Sequence, residues 1–380
     1  MPSTIHIKGR IHVMKKLIAF LLLTVSIASS QPAVIPTPQA SPDSITWHTV
    51  SDWGVEGRGW TDVKRFYDRL PAKAEGVVRD KVWELSRHSS GMSCRFTTDA
   101  PEIQVRYTLL HSNLEKPHMP ATGVSGVDLY TLLEDGRWRW IGTGQPTNQR
   151  VFATIIRGMP PERRTFQLNL PLYNGLDSLE IGVTRGAAFE PIAPRTEKPV
   201  VFYGTSIMHG ACASRPGMAI PAILGRRLNI PVINLGFSGN GRMEMEVGKL
   251  LAELDAEIYV LDCLPNISPE ETAQRTEPLV RLLREAKPAT PILLVEDRVF
   301  PNAVVLPDRM KGHAGRHKAL REAYDRLIAS GAQNLYYLEG NELLGSDGDA
   351  TVDGSHPSDL GMVRYADAYE KALKSILKGR

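Results

Sequence analysis

Ser206 closes the stretch Val200-Val201-Phe202-Tyr203-Gly204-Thr205-Ser206, an apolar run ended by a glycine where a helix can begin. Near the other end of the chain stands Asp353-Gly354-Ser355-His356-Pro357. A serine hydroxyl is a weak nucleophile until a base takes its proton, and the base works best when a carboxylate fixes its tautomer. A spacing of three puts Asp353 and His356 on one side of a tight turn. Pro357 biases His356 away from helical backbone and so keeps it on the loop. At a helix start, the backbone N–H of Ser206 is free and the helix dipole is positive, so the same residue can attack a carbonyl and help hold the oxyanion. Two later segments offer further donors. Gly239, in Asn234-Leu235-Gly236-Phe237-Ser238-Gly239, allows a backbone N–H to approach a substrate closely. Asn266, in Leu264-Pro265-Asn266, can add its side-chain amide. Together these residues could carry acyl transfer through a covalent serine. Taken singly, each has an ordinary reading as a helix cap, a surface turn, a glycine turn or a loop asparagine. Their order along the chain and the completeness of the set favour the chemistry.

Other candidates are weaker. His209 lies three residues after Ser206 and can line a pocket, but no carboxylate stands near it in sequence. His313 and His317 have the i, i+4 spacing of a metal pair. They lack the glutamate of a His-Glu-x-x-His motif, so exposed helix surface is expected. The acidic run Asp347 to Gly354 misses either the glycine or the closing glutamate of a calcium loop. No metal or other cofactor is expected. Cys94, Cys212 and Cys263 are an odd set. Cys212 and Cys263 flank motif segments and could approach each other, but small buried hydrophobes are the expected role.

Positioning these residues takes a folded scaffold, and its outline is legible. After Pro191, Pro194 and Pro199, the apolar runs 200–203, 231–235, 257–263, 291–295 and 335–338 alternate with helical stretches near 218–228, 243–254, 269–286 and 313–330, and a last helix from about Ser358. Continuous apolar strands separated by amphipathic helices predict a parallel sheet covered on both faces, with its site at the carboxyl ends of the strands. From Ile45 to about Ile192 the pattern is strand-like instead. Segments 102–107, 165–170 and 178–183 alternate with period two, and Asp135-Gly136 reads as a hairpin turn, predicting an antiparallel β-sandwich. Residues 31–44, with Pro32, Pro36, Pro38 and Pro42, read as a tether.

The first thirty residues carry Lys8, Arg10, Lys15 and Lys16 and no acid. Lys15-Lys16, the apolar run Leu17–Ile27 and Ala28-Ser29-Ser30 have the grammar of an export signal, with cleavage expected after Ser30 and Met14 a candidate true start. The apolar core is too short to span a bilayer comfortably. Without this segment the net charge of +3 nearly vanishes, and no basic stripe points to nucleic acid or to a membrane surface. The expected division is therefore a signal at 1–30, a linker at 31–44, a β-sandwich at 45–193 and the α/β part at 196–380, exported to the periplasm or beyond.

At this point the chain resembles the SGNH, or GDSL-type, hydrolases, named for a serine, a glycine, an asparagine and a histidine. Ser206, Gly239, Asn266 and Asp353 with His356 fall in that order. Gly204-Thr205-Ser206-Ile207, Arg215-Pro216-Gly217-Met218 and Gly236-Phe237-Ser238-Gly239-Asn240-Gly241 resemble the acylhydrolase subgroup with an N-terminal Gly-x-Asp-Leu-Tyr domain, matched here by Gly126-Val127-Asp128-Leu129-Tyr130. Thr205 departs from the wider family, which has Asp there, and Cys-Leu-Pro-Asn replaces Gly-x-Asn-Asp. The resemblance implies a flavodoxin-like parallel sheet behind the sandwich. It also implies Ser206, His356 and Asp353 as the triad, and Ser206, Gly239 and Asn266 as the oxyanion hole. His209, Arg215, Asp128 and Tyr130 are the expected substrate contacts, with His118, Met119, Trp138 and Trp140 as further candidates against a sugar. Carbohydrate deacetylation is the activity expected by analogy; acyl transfer to an alcohol and an inactive glycan-binding protein are the alternatives.

Overall fold

A computed structural model describes residues 44–379; the signal at 1–30 and nearly all of the 31–44 linker lie outside the described residues. Residues 45–192 contain strands β1 (Ile45–Thr49), β2 (Ser93–Thr98), β3 (Glu102–Leu109), β4 (Val127–Leu132), β5 (Trp138–Gly144), β6 (Arg150–Arg157), β7 (Arg164–Asn169), β8 (Leu176–Thr184) and β9 (Phe189–Ile192). They form two antiparallel sheets, ordered β1-β8-β3-β6 and β5-β4-β7-β2-β9. Period-two alternation sends Ile103, Val105 and Tyr107 of one sheet and Phe96, Leu129, Phe166 and Leu168 of the other into one shared core. At the expected hairpin, Gly136 has φ +79° between paired β4 and β5, a conformation glycine adopts without a Cβ clash.

One long segment departs from the strand-like expectation. Between β1 and β2 the chain leaves the sandwich, forms helix α1 (Asp80–Ser86), and buries Trp60, Leu70, Val82, Trp83 and Leu85 with Tyr203, Leu235 and Phe237 of the α/β part. Val82 and Leu85 are at helical spacing, and the apolar face they make is covered by the parallel sheet rather than by the sandwich.

That sheet consists of β10 (Val200–Gly204), β11 (Val232–Gly236), β12 (Ile258–Asp262), β13 (Ile292–Val295) and β14 (Leu335–Leu338), all parallel, in the order β11-β10-β12-β13-β14. β10, β12 and β13 are buried along their whole length, as two covered faces require. The connections carry α2 (Ala121–Val124) within the sandwich part, then α3 (Ser206–His209), α4 (Ile220–Leu228), α5 (Met245–Leu251), α6 (Pro269–Ala286), α7 (Pro307–Ala329) and α8 (Asp359–Lys378). α5, α6 and α7 pack on one face through Val247, Leu279 and Leu320, while α4 and α8 cover the other through Leu224 and Tyr369. Ser268 and Glu271 close a capping box at the start of α6. α7 begins at Pro307, ahead of the expected start at 313. The strand order reverses at β10, so the crevice of a doubly wound sheet falls where Ser206 emerges.

Arg69, in the β1–β2 connection, joins the two parts of the chain. It is 1% exposed. Its guanidinium donates to the carbonyls of Leu85 (2.6 Å), His88 (2.9 Å), Asn234 (2.9 Å) and Gly236 (2.9 Å) and lies over the Phe237 ring. Removing it would strand several buried acceptors at once. Arg69→Met is expected to destabilise the protein by about 3 kcal/mol, read as a fall in the urea midpoint without a change in slope.

Candidate active site

Ser206 is the first residue of α3 and is 8% exposed. Thr205 caps the helix by accepting from the Ile207 N–H at 3.4 Å. The Ser206 hydroxyl stands 2.9 Å from His356 Nε2, and His356 Nδ1 stands 2.7 Å from Asp353 Oδ2. The carboxylate accepts from Nδ1–H, which leaves Nε2 unprotonated and able to accept from the serine. The other Asp353 oxygen accepts from the backbone N–H groups of Ser355 (2.9 Å) and His356 (2.7 Å). Partial burial would raise the Asp353 carboxyl, but these backbone bonds and the imidazole outweigh it and hold it at about 2. The spacing of three is therefore the geometry of one turn, with Gly354 at φ +82°.

The other expected oxyanion donors, Gly239 and Asn266, lie on two separate loops that hydrogen bonds join. Gly239 is exposed at φ +69° with nothing within 4 Å of where a Cβ would be. The hydrogen-bond network orients the Asn266 carboxamide with its oxygen accepting from the N–H groups of Asn240 (3.0 Å) and Gly241 (3.2 Å). This loop meets the nucleophile turn so closely that a Cβ on Gly241 would lie 1.9 Å from the Gly204 carbonyl oxygen. Asn266→Ala is expected to lower kcat about 10²- to 10³-fold while changing KM little, measured by steady-state hydrolysis of a soluble ester.

The expected substrate contacts have another role. Asp128 is wholly buried, Tyr130 is 4% exposed, and both are bound to Arg215 (2.6 and 2.5 Å). Asp128 also accepts from the Gly217 N–H and the Asn169 amide. The Gly-x-Asp-Leu-Tyr signature thus ties the sandwich to the loop after α3, because a buried carboxylate must be fully paired. His209 is fully buried, stacks on Tyr173 (centroids 4.1 Å apart) and sits 3.3 Å from His88 Nδ1. Burial, then Arg69, lowers its pKa well below the ordinary value, so it is a neutral packing group. Tyr173 in turn donates to the Ser206 carbonyl at 3.3 Å.

Of the further candidates, His118 is exposed with its ring 5.8 Å from that of His356, whereas Met119 is buried. Trp138 lines a different concavity, and Trp140 stacks under Arg215. Cys94, Cys212 and Cys263 are all buried free thiols.

His313 and His317 are not exposed helix surface. His313 is 1% exposed and accepts from the Phe300 N–H, while His317 bonds the Asp297 carbonyl at 2.6 Å. They belong to a polar cluster around Asp297, which is fully buried and paired with Arg298 and Arg316. Burial alone would raise the Asp297 carboxyl, but Arg298, His313 and Arg316 hold it well below the usual carboxylate range. Arg298 also donates to the Ser355 carbonyl (3.2 Å) and hydroxyl (2.5 Å), gripping the turn that carries Asp353 and His356. Sequence reasoning passed over Arg298. The available signal was Glu296-Asp297-Arg298, three charges directly after a fully apolar strand, at the end of a parallel sheet where sites form.

Comparison with known proteins agrees with this architecture. Residues 197–374 match the GDSL-like lipase/acylhydrolase family, and residues 45–189 match the GxDLY N-terminus of SGNH-hydrolase-type esterases. A crystal structure from Bacteroides ovatus ATCC 8483, described as a GDSL-like lipase, is 35% identical, with TM-score 0.83 over 88% of this chain and 98% of that one. The salicylyl-acyltransferase SsfX3 from a tetracycline biosynthetic pathway shares the fold at 22% identity and TM-score 0.69, over 89% and 96% of the two chains. So does the acetyl xylan esterase Est2A from the rumen bacterium Butyrivibrio proteoclasticus, at 11% identity and TM-score 0.54, over 88% and 99%. No curated protein matches the chain. With a nucleophile turn, a histidine loop and a Gly-x-Asp-Leu-Tyr joint on one such scaffold, the chain belongs to the GDSL-like lipase/acylhydrolase family of SGNH hydrolases.

Proposed function

We propose that the protein is an exported serine esterase that removes short acyl groups, acetyl above all, from carbohydrates. The observation that carries this reading is the unbroken relay from Ser206 Oγ through His356 to Asp353, with links of 2.9 and 2.7 Å. Ser206 Oγ attacks the ester carbonyl as His356 Nε2 takes its proton. The N–H groups of Ser206 and Gly239 and the Asn266 amide hold the oxyanion. His356 then protonates the departing alkoxide, which leaves as the sugar alcohol. Water, deprotonated by the same nitrogen, releases the acid and restores Ser206.

Three observations support the finer parts of the reading. An open cleft of about 1150 Å³ is lined by Tyr173, which bonds the Ser206 carbonyl, and by His118, whose ring lies 5.8 Å from that of His356; this is far more than an acetyl group fills, so room remains for a saccharide. The acetyl xylan esterase Est2A has the same architecture. The His356 and Asp353 side chains are 24% and 38% exposed, so water reaches the acyl-enzyme, favouring hydrolysis over the acyl transfer of the salicylyl-acyltransferase. Export rests on Lys15-Lys16 and the apolar run after them.

The test is acetate release by the full chain from p-nitrophenyl acetate and a panel of acetylated plant glycans. Glycan deacetylation is expected. Cleavage of the model ester without any glycan activity would move the reading toward small esters or acyl transfer. Failure to cleave any ester would leave a binding protein. Mass spectrometry of the exported form is expected to find Gln31 at the N-terminus.

A further inference from the structure

We infer that the cleft beside Ser206 selects esters that carry a carboxylate, and that Lys116 is the residue that recognises it. This rests on the esterase reading above and narrows its substrate class. The cleft lining includes Tyr173, bonded to the Ser206 carbonyl, and His118, with its ring 5.8 Å from that of His356, and the cleft runs between the 110–118 segment and α1. The exposed Lys116 places its ammonium 5.8 Å from the centroid of the Tyr173 ring, and that ring ends in the hydroxyl bonded to the Ser206 carbonyl. One tyrosine therefore separates this cation from the nucleophile turn.

Arg87, Lys81 and Glu84 on the cleft walls are already matched. Arg87 is paired with buried Asp68 at 2.8 Å, and Lys81 with Glu84 at 2.6 Å. Arg65 reaches Asp177 only at 3.9 Å. Buried behind the lining residue His88, Arg69 is bonded to carbonyl oxygens and faces a histidine, with no carboxylate among its partners. The uncompensated charge on the walls is thus Lys116 and much of Arg65, against the exposed Glu115, with the buried Arg69 behind His88. His88 and His111 on the same walls respond to this field. Burial lowers both, and nearby cations, Lys116 included, lower them further. Both rings are therefore biased toward the neutral form, which suits sugar hydroxyls. A neutral saccharide gains nothing from the positive field, whereas a carboxylate is drawn in and oriented by it.

The carboxylate has two chemical sources, a uronic acid on the alcohol side or a dicarboxylic acyl group. The experiment uses matched pairs with the full chain. One pair is an acetylated uronic-acid methyl glycoside and its neutral hexose counterpart. The other is 4-nitrophenyl hemisuccinate and 4-nitrophenyl butyrate. The charged-to-neutral ratio of kcat/KM is expected to be about fivefold or more in one pair, which names the source. That ratio should fall with added salt, approach one in Lys116→Met, invert in Lys116→Glu and persist in Lys116→Arg. Ratios near one in both pairs, or a preference that survives Lys116→Met, would overturn the inference and leave the esterase standing. If no Ser206-dependent turnover occurs, the esterase reading fails, and calorimetry on Ser206→Ala decides the subsite. Tighter binding of the uronate, lost in Ser206→Ala/Lys116→Met, supports it; equal binding of both glycosides overturns it.

Discussion

Ser206→Ala is expected to lower kcat for ester hydrolysis by roughly 10⁶-fold, the order seen when the nucleophile of a serine triad is removed. The size of the effect follows from the absence of a substitute. Thr205, the neighbouring hydroxyl, points back to the Ile207 amide as a helix cap. Ser238 borders the cleft, but His356 Nε2 is directed at Ser206. With Ser206 gone, the proposed oxyanion donors could only polarise the ester for attack by water. The variant should fold normally, because the hydroxyl contributes a single hydrogen bond, to the imidazole, and the turn is held by Thr205 and by Tyr173. The measurement pairs kcat with the thermal midpoint. A fall of only about tenfold in kcat with an unchanged midpoint would rule out a covalent serine intermediate.

Asp353→Asn should cost about 10⁴-fold in kcat, and the reason lies in the tautomer. The oxygen of the substituted carboxamide can still accept from the Ser355 and His356 N–H groups, so the turn survives. Its NH₂ would then face His356 Nδ1, which must become an acceptor. The proton moves to Nε2, and Nε2 can no longer take the Ser206 proton. The wild-type carboxyl, held at about 2 by the backbone and imidazole bonds that outweigh its partial burial, is ionised throughout the range in which the enzyme would be assayed. Asp353 should therefore contribute no acid limb to the wild-type pH–rate profile. The sign for stability follows as well. A carboxyl lowered on folding stabilises the protein above its ordinary value of 3.8 and loses that contribution as pH falls toward 2. If Asp353→Asn kept most of its kcat, Asp353 would be a turn-forming residue and not the partner of the base.

Both arms of the relay depend on partners that contribute no chemistry of their own. The nucleophile turn leans on Tyr173 and on the carbonyls gathered by Arg69, and the histidine turn hangs from Arg298. Tyr173 and Arg69 come from the N-terminal part of the chain, so the parallel sheet does not build its own site unaided.

What the sequence determined by itself was what local physics controls. Apolar runs and amphipathic stretches settled the strand and helix order of the parallel sheet, because burial on two faces requires them. Asp353 and His356 were legible as a pair because three residues of turn suffice to join them. Ser206 was legible as a position, at the end of a buried strand. Its contact with His356, across 150 residues, exists only once the sheet has brought the two loops to one edge. The tertiary structure alone decided the rest. Asp128 looked like a ligand contact and is a buried joint, because what fills its hydrogen bonds is the Arg215 loop, 87 residues away. His313 and His317 looked exposed, yet His313 is buried and His317 half-buried, because Asp297, just past β13, is paired by Arg298 beside it and by His313 and Arg316 of the neighbouring helix, while His317 bonds its carbonyl. Arg69 left no local trace at all. Its partners are mainly backbone carbonyls, which every residue carries, so no pattern of side chains could announce where they would converge.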